Sequence, residues 1–327
     1  MPRVAPLDPA SYRRHLIHGE DRVWTETNCY SDVIIELLHG LGEEPRASLA
    51  FTLAADFEGD QWTFFKFAPA DLEALYGFDI QELAPWRPLA SHIEEQVALG
   101  RPVLVELDSF YLPDTAGTAY RLAHVKTTVA VNEIDLERTT LGYFHNQGYH
   151  ALEGADFADV FQTAGLVHER MLPPYIEYVK RLPHHRPLSR GELLEGSLAS
   201  LQRHLRRMPE RNPFPAFKAA FERDLDWLLQ AELEVFHAYS FATLRQYGAC
   251  FGLAETYLAW LQEQGVDGFE PARLAFDEIS RATKAFQFGL ARAMARRRPL
   301  DLSPLDAMAE QWERAAETLL QQAGAAR

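Results

Sequence analysis

Cysteine is scarce in this chain of 327 residues, which contains only Cys29 and Cys250. Two cysteines form neither a disulfide framework nor a CxxC pair with the spacing of zinc ligands. Long apolar runs are also missing: the N-terminus has no apolar signal segment, and no stretch reaches the ~18 apolar residues that a membrane helix needs. We therefore expect a cytoplasmic protein that does not span a membrane.

Positive charge is in deficit as well. The chain has 32 Lys and Arg residues against 47 Asp and Glu, a formal net charge of −15. This charge repels a phosphate backbone, so nucleic acid is not an expected partner. Basic residues cluster at 203–211 and 292–298, where helix ends or solvated helix faces are a sufficient explanation.

Several motifs that define enzyme classes are absent. The chain has no Walker A motif, no GxGxxG after a strand, no GxSxG elbow and no HExxH. His184 and His185 stand in a proline-flanked stretch and lack the helical spacing of metal ligands. The sequence therefore calls for neither a metal nor a cofactor.

The composition itself, 47% hydrophobic and 24% charged, is that of a globular protein with a packed core. Apolar residues recur at helical spacing after Asn28 and predict a helix over 29–40. Two apolar segments, 49–57 and 61–67, flank a Gly-containing turn and predict a β-hairpin. Further patterns predict short helices at 70–76 and 89–99 and strands at 102–107, 125–131 and 139–145. The first part of the chain is therefore predicted to contain a mostly antiparallel sheet.

The composition changes in the polar, proline-flanked stretch 182–188, which suits a linker. Beyond it, helical patterns cover roughly 190–207, 214–235, 237–264, 271–297 and 304–322. We predict an α+β protein with two domains, residues 1–183 and an all-helical domain of residues 184–327.

Cys29 is the strongest candidate for a reactive side chain. It follows Asn28, a good helix N-cap, and the free N–H groups and dipole at a helix start favour a thiolate. The alternative is a cysteine that serves only as a small buried hydrophobe, which is how we interpret Cys250 inside its apolar helix.

His124 and Asn146 are candidates for the partners of Cys29. His124 directly precedes the predicted strand at 125–131, where a ring can be held firmly and remain reachable. Asn146 ends the next predicted strand, and neighbouring antiparallel strands could bring its amide oxygen to the imidazole. Taken singly, each residue is as well explained by a structural role.

The order of these three residues is that of the papain-like Cys-His-Asn arrangement. The stretches Asn28-Cys29-Tyr30 and Arg101–Asp108 with Tyr111-Leu112-Pro113, together with the His124 strand, also resemble the family of butirosin biosynthesis protein H, papain-like acyltransferases. The resemblance covers roughly residues 20–160 and implies a papain-like domain followed by a helical one. It departs at Asn146, where that family usually has Asp.

Members of that family move an acyl group from a carrier-protein thioester, through an enzyme thioester, onto an amine. By this resemblance Cys29 would carry the acyl group, His124 would move the proton and Asn146 would orient His124. By the same resemblance the partners would be an acyl carrier protein and a small amine, in secondary metabolism. The N–H of Cys29 would donate to the oxyanion, with Asn28 or Thr25 as candidates for a second donor because the usual papain-like Gln is absent.

Asp108, Tyr111 and Asp114 lie between a predicted strand and His124 and are candidates for binding the acceptor. Solvated acidic residues are equally expected in a chain this negative. The dense basic candidates for docking a carrier are Arg203, Arg206, Arg207, Arg296, Arg297 and Arg298. Three functions stay open: acyl transfer, hydrolysis by a cysteine peptidase or amidase, and a non-catalytic binding module. The sequence identifies neither the acyl group nor the oligomeric state.

Overall fold

The computed structural model describes residues 2–161 and 174–325, which form two compact units. The first unit consists of Met1–Gly19, Asn28–Pro45 and Leu72–Pro187. The second consists of Glu20–Thr27, Arg46–Asp71 and Leu188–Arg327. The chain thus passes back and forth between the units before residue 72. No helix within the described residues combines the length and the apolar character needed to cross a membrane.

The first unit is built on a six-stranded sheet in the order β1-β6-β2-β3-β4-β5. Its strands are β1 (Phe78–Glu82), β2 (Val103–Asp108), β3 (Lys126–Asp135), β4 (Thr140–His145), β5 (Gly148–Glu153) and β6 (Ile176–Arg181). Every pairing between neighbours is antiparallel. The α+β class and the antiparallel sheet predicted from the sequence are therefore confirmed.

Helices cover the two faces of this sheet. They are α1 (Cys29–Gly40), α3 (Leu89–Ala98) and α4 (Ala155–Val160). The last residues of α2 (Pro69–Tyr76) also belong to this unit. Helix α1 has the bounds that its apolar spacing predicts, and it packs on β3 and β4. Helix α3 packs on β2 and β3. Because side chains alternate along a strand, the odd-numbered β3 residues up to Val131 face α3 and the even-numbered Thr128 faces α1. An irregularity in the pairing between Val131 and Glu133 then brings the even-numbered Ile134 onto the α3 face.

The core under α3 holds the odd-numbered residues of the central strands. Val103, Val105, Val129 and Val131 are all essentially inaccessible, and Ile93 of α3 lies among them. Such β-branched residues suit a half-buried pleated surface. The apolar face that the sequence assigns to β2 and β3 is therefore the face that holds the sheet to its helix.

The second unit is helical, as predicted. Its helices are α5 (Arg190–Leu205), α6 (Phe214–Leu228), α7 (Leu233–Ser240), α8 (Gln246–Glu263), α9 (Glu270–Arg296) and α10 (Ser303–Ala325). A π-helical turn, Phe241–Arg245, interrupts the helix predicted over 237–264. The aromatic core centres on Trp62, which packs against Phe214, Phe217 and Tyr247.

The hairpin predicted over 49–57 and 61–67 is wrong. Residues Pro45–Ala54 form a 3₁₀ helix, and one isolated bridge, Phe57 to Trp62, is what remains of the pairing. The aromatic side chains explain the difference, because Phe51 packs on Phe65 and Phe67 while Trp62 enters the helical core. Packing against helices stabilises these residues more than a two-stranded ribbon could.

Candidate functional site

Cys29 is the first residue of α1. Asn28 caps the helix in an extended conformation, and its Oδ1 accepts the N–H of Ser31 at 2.9 Å. The Cys29 side chain is partly exposed, and its S–H donates to Thr128 Oγ1 of β3 at 3.8 Å. The backbone N–H of Cys29 is one of the donors that a helix start leaves without an intrahelical acceptor. Cys29 therefore presents a thiol at the start of a helix.

Asn28 and Thr25 were the two candidates for a second oxyanion donor. The Asn28 side chain is buried, and its carbonyl oxygen is used for capping. Thr25 belongs to the second unit. The structure therefore gives no support to either residue as the second oxyanion donor. That role stays a prediction.

His124 lies two residues before β3 and is held by the end of β2. Its Nδ1 is 2.6 Å from Asp108 Oδ2, and the Phe110 ring stacks on it at 4.3 Å with an angle of 13°. A carboxylate can only accept, so Nδ1 carries the proton and Nε2 is the nitrogen that can take another. The side chain is 66% exposed. This imidazole is therefore oriented on one side and open on the other.

Asn146 does not orient His124, which corrects the expectation from the sequence. It stands in the two-residue turn between β4 and β5 with φ of 49°, a conformation that Asn tolerates better than most residues. Because His145 pairs with Val129, Asn146 follows at the level of Thr128, four residues from His124 and roughly 13 Å away along an extended chain. Within residues 2–161 and 174–325 no hydrogen bond joins Asn146 to His124.

Asp108, and not Asn146, is the residue that orients the His124 ring. Asp108 pairs with Lys126 and Glu106 with Thr128 across β2 and β3, so these side chains lie on the face that α1 covers. The sequence had marked Asp108 as a candidate for binding an acceptor. Its position at the end of the strand before the His124 loop is the signal that could have identified it as the partner of His124.

Tyr111 lies beside the imidazole. Its ring meets His124 edge-on at 6.2 Å, and the Arg121 guanidinium lies 5.4 Å from the ring centroid. The residue is partly buried and its position is compatible with the substrate-binding role predicted for it.

Asp114 is buried on the other face of β3, which corrects its assignment as an open acceptor-binding residue. Its Oδ2 is 2.5 Å from His145 Nδ1, and the Tyr143 hydroxyl donates to its Oδ1. His145 Nε2 is in turn 2.8 Å from Thr127 Oγ1. Burial opposes ionisation of Asp114, but the His145 hydrogen bond and charge outweigh it and lower the pKa of the carboxyl. This network, which sequence reasoning missed, ties the connection between β2 and β3 to β4.

A second carboxylate lies on the α1 face. The Tyr30 hydroxyl of α1 and the Tyr175 hydroxyl donate to Glu177 of β6 at 3.1 and 2.8 Å. Leu104 pairs with Glu177, which puts Glu177 on the same face as Glu106 and Asp108. Burial and the Glu177 charge raise the pKa of Tyr30, so its hydroxyl stays neutral. The face beside Cys29 therefore carries negative charge.

Metal ligation is not supported by the side-chain arrangement. Across the described ranges 2–161 and 174–325, no group of three or more His, Cys, Asp or Glu residues could hold an ion. The chemistry available at this face is that of a thiol, an oriented imidazole and carboxylates.

Together, the fold and site define an α+β protein with a cysteine at a helix start and a carboxylate-held histidine before a neighbouring strand. The chain belongs to the DUF1839 family: residues 13–181 match the DUF1839 N-terminal domain and residues 190–321 the DUF1839 C-terminal domain. No curated protein matches the chain.

Proposed function

We propose that the protein is a papain-like cysteine acyltransferase, related to the family of butirosin biosynthesis protein H, that acts in the cytoplasm. It would hold an acyl or aminoacyl group as a thioester on Cys29. One observation carries the proposal: the Cys29 thiol and the His124–Asp108 pair lie on the same face of β2 and β3. A nucleophile and an oriented base on one surface are the parts that acyl transfer requires.

In the first step the Cys29 sulfur attacks the carbonyl carbon of a carrier-protein thioester. A carbon–sulfur bond forms to Cys29, the bond to the carrier sulfur breaks, and the carrier leaves as a thiol with the proton that Cys29 gave up. The backbone N–H of Cys29 donates to the oxyanion of the tetrahedral intermediate.

In the second step an amine attacks the enzyme thioester. His124 Nε2 takes the proton of the amine while Asp108 keeps the ring in the correct tautomer, and the proton passes to the Cys29 sulfur as it leaves. This role fits the open side of the imidazole better than direct contact with the thiol, because Thr128 is the β3 residue beside Sγ.

The acceptor is proposed to be a small amine that arrives as its ammonium form and loses that proton to water before it attacks. Glu106, Asp108 and Glu177 line the α1 face, and a carboxylate surface in a chain of net charge −15 attracts an ammonium group. Glu106 is already paired with Lys126 at 2.6 Å, and Asp108 holds His124. Glu177 is therefore the carboxylate that we propose binds the ammonium group of the acceptor.

The carrier protein is proposed to dock on basic residues of the second unit. Arg203 is held by Asp71, which leaves Arg206 and Arg207 after α5 and Arg296 to Arg298 at the end of α9 as the exposed candidates. Acidic carriers are steered to such residues by charge.

Two other functions remain candidates. With water in place of the amine, the same residues would make a cysteine peptidase or amidase. A non-catalytic binding module is favoured by one observation, the contact of the Cys29 sulfur with the Thr128 hydroxyl rather than with an imidazole.

Intact-mass measurement after incubation with an acyl-loaded carrier protein tests the proposal. The parent and Cys250→Ala should gain the mass of the acyl group, and Cys29→Ala should gain none. Cys250 is the matched control because it is buried, donates to Thr52 O, and has a pKa raised by burial. A parent that binds the carrier and never acquires an adduct would support the binding module instead.

Addition of an amine then separates transfer from hydrolysis. For a transferase, the adduct should disappear faster with amine, and the acyl amide should accumulate. Loss at one rate with and without amine, with free acid as the product, would identify a hydrolase.

A further inference from the structure

The residues that precede Cys29 are held on the helical unit. We call Glu20–Thr27 the strap, since the segment belongs to the second unit and ends two residues before Cys29. Arg22 fixes its beginning, because its Nη2 donates to Gly252 O at 3.1 Å and also to the Thr256 hydroxyl. The strap is thereby attached to α8.

Trp24 fixes the middle of the strap. The side chain is buried, and a Cβ added at Gly248 of α8 would lie 2.8 Å from its Cζ2 atom. The Lys284 ammonium of α9 lies 4.0 Å from the ring centroid, within the range of a cation–π interaction. The Trp24 ring is thus held between Gly248 of α8, which has no side chain, and the ammonium group of Lys284 of α9.

Arg245 fixes the end of the strap. It is the last residue of the π-helical turn between α7 and α8, and its Nε donates to Thr27 O at 2.9 Å. Its Nη2 donates to Glu26 O at 3.2 Å. Turns of this kind are rare and often occur at functional sites. One planar guanidinium therefore holds two successive carbonyls directly before the helix cap.

We propose that Arg245 is a positioning residue for Cys29. The Thr27 carbonyl and the Asn28 N–H belong to one rigid peptide plane, so fixing the oxygen also fixes that N–H. Asn28 in turn caps α1 and sets where the helix begins. Arg245 thus defines the backbone from which the thiol is presented. The inference rests on the proposed function only in taking Cys29 as the reactive thiol.

Alkylation of Cys29 by iodoacetamide, followed by intact mass across a pH series, tests this role without any acyl donor. Arg245→Ala should slow alkylation near neutral pH at least ~5-fold and move the midpoint of the pH profile, and Arg245→Lys should recover part of the loss. Lys218→Ala is the control, because Lys218 also bridges elements of the second unit, from α6 to Asp306 of α10 at 2.7 Å, and shares no partner with the strap among the described residues.

A folded Arg245→Ala protein with the parent's rate and pH profile would overturn the inference. If that variant does not fold, the decision passes to Arg245→Gln, which keeps one amide donor and much of the volume. Alkylation of Arg245→Gln should be slower than that of the parent and of Lys218→Ala, with the midpoint of its pH profile displaced from theirs. A rate and profile equal to those of the parent would again overturn the inference. A parent that is alkylated normally and never forms a thioester would contradict the acyltransferase alone.

Discussion

The hydrogen bond between His124 and Asp108 decides which ring nitrogen can accept a proton. We expect Asp108→Asn to slow acyl transfer to an amine by about 10²-fold or more, since an amide can hold the wrong tautomer. Asn146→Ala should change the rate by only about 2-fold, because Asn146 acts in the turn. The single-turnover decay of the Cys29 adduct in the presence of amine measures both. A larger loss in Asn146→Ala would restore the triad predicted from the sequence.

His18 is a buried histidine with two carboxylate partners on α1. Its Nδ1 lies 2.5 Å from Glu36 and its Nε2 3.2 Å from Asp32, and all three side chains are inaccessible. Burial alone would lower the pKa of His18, but the hydrogen bonds and charges of the two carboxylates outweigh it and raise the pKa to about 9.

This raised pKa predicts a loss of stability in alkali. The unfolded histidine titrates near 6.5, so the stabilisation is complete below that pH and disappears as the pH rises through about 9. The free energy of unfolding should fall by ~3 kcal/mol across this window. Urea titrations of the parent at several pH values measure the slope. His18→Gln should be less stable in acid and should lack that slope, and an equal slope in the variant would assign it to another group.

Asp114 anchors the connection between β2 and β3, the element that carries Phe110, Tyr111 and His124. We expect Asp114→Asn to destabilise the protein by about 2–4 kcal/mol, because it leaves His145 without its buried carboxylate. Deuterium uptake should rise first in peptides from residues 109–125. Since the Asp114 pKa is lowered, its contribution is present at neutral pH and is lost as the pH falls below the ordinary range of a carboxyl.

Arg121→Gln is the control for this element. Arg121 binds Asp156 and Asp159 from the same connection, but it does so at the surface, where ion pairs contribute under about 1 kcal/mol. If deuterium uptake over residues 109–125 rises equally in Asp114→Asn and Arg121→Gln, Asp114 is not the single anchor of the connection between β2 and β3.

Elements with strong periodicity could be predicted from the sequence. Helix α1 and strands β2, β3 and β4 follow their apolar patterns, as do the long helices of the second unit. Strands β1, β5 and β6 were missed because their burial does not alternate cleanly, so no period of two marks them. The 49–67 segment shows the opposite error, in which β-forming residues are used for packing between helices.

The individual residues of the site could be predicted from the sequence, but the residue that pairs with His124 could not. Asn28 and Cys29 reveal a capped helix because the signal is local. The choice between Asn146 and Asp108 depends on strand register, which fixes a neighbour only after the turn geometry is known. Asp114 and Asp108 look alike in sequence, and only the face of β3 that each one reaches distinguishes them.

For the whole molecule, the interleaved segments predict that the helical unit does not fold from its C-terminal sequence alone. Residues 188–327 lack Trp62, whose ring packs on Phe214, Phe217 and Tyr247, and they lack the strap. Expressed alone, this fragment should bind a hydrophobic dye and melt without a cooperative transition.

The comparison for that fragment is Trp62→Ala in the full chain, which removes the same ring and leaves the connections intact. It should lose about 3–5 kcal/mol and still unfold cooperatively. Calorimetry of both proteins measures the difference. A fragment with a sharp transition near that of the full chain would contradict the need for the early segments.

The same interleaving determines when the packing partners of early residues are synthesised on the ribosome. Trp62 emerges early, whereas Tyr247, on which its ring packs, is made 185 residues later (247 − 62), which takes ~10–40 s at the usual speed of synthesis. Until α6 and α8 have both been made, the aromatic residues of 46–71 lack part of the helical core on which they pack. We expect a nascent chain of this design to need chaperones that shield its early apolar segments, and slow codons before residue 214 to lengthen the time for which those segments are exposed.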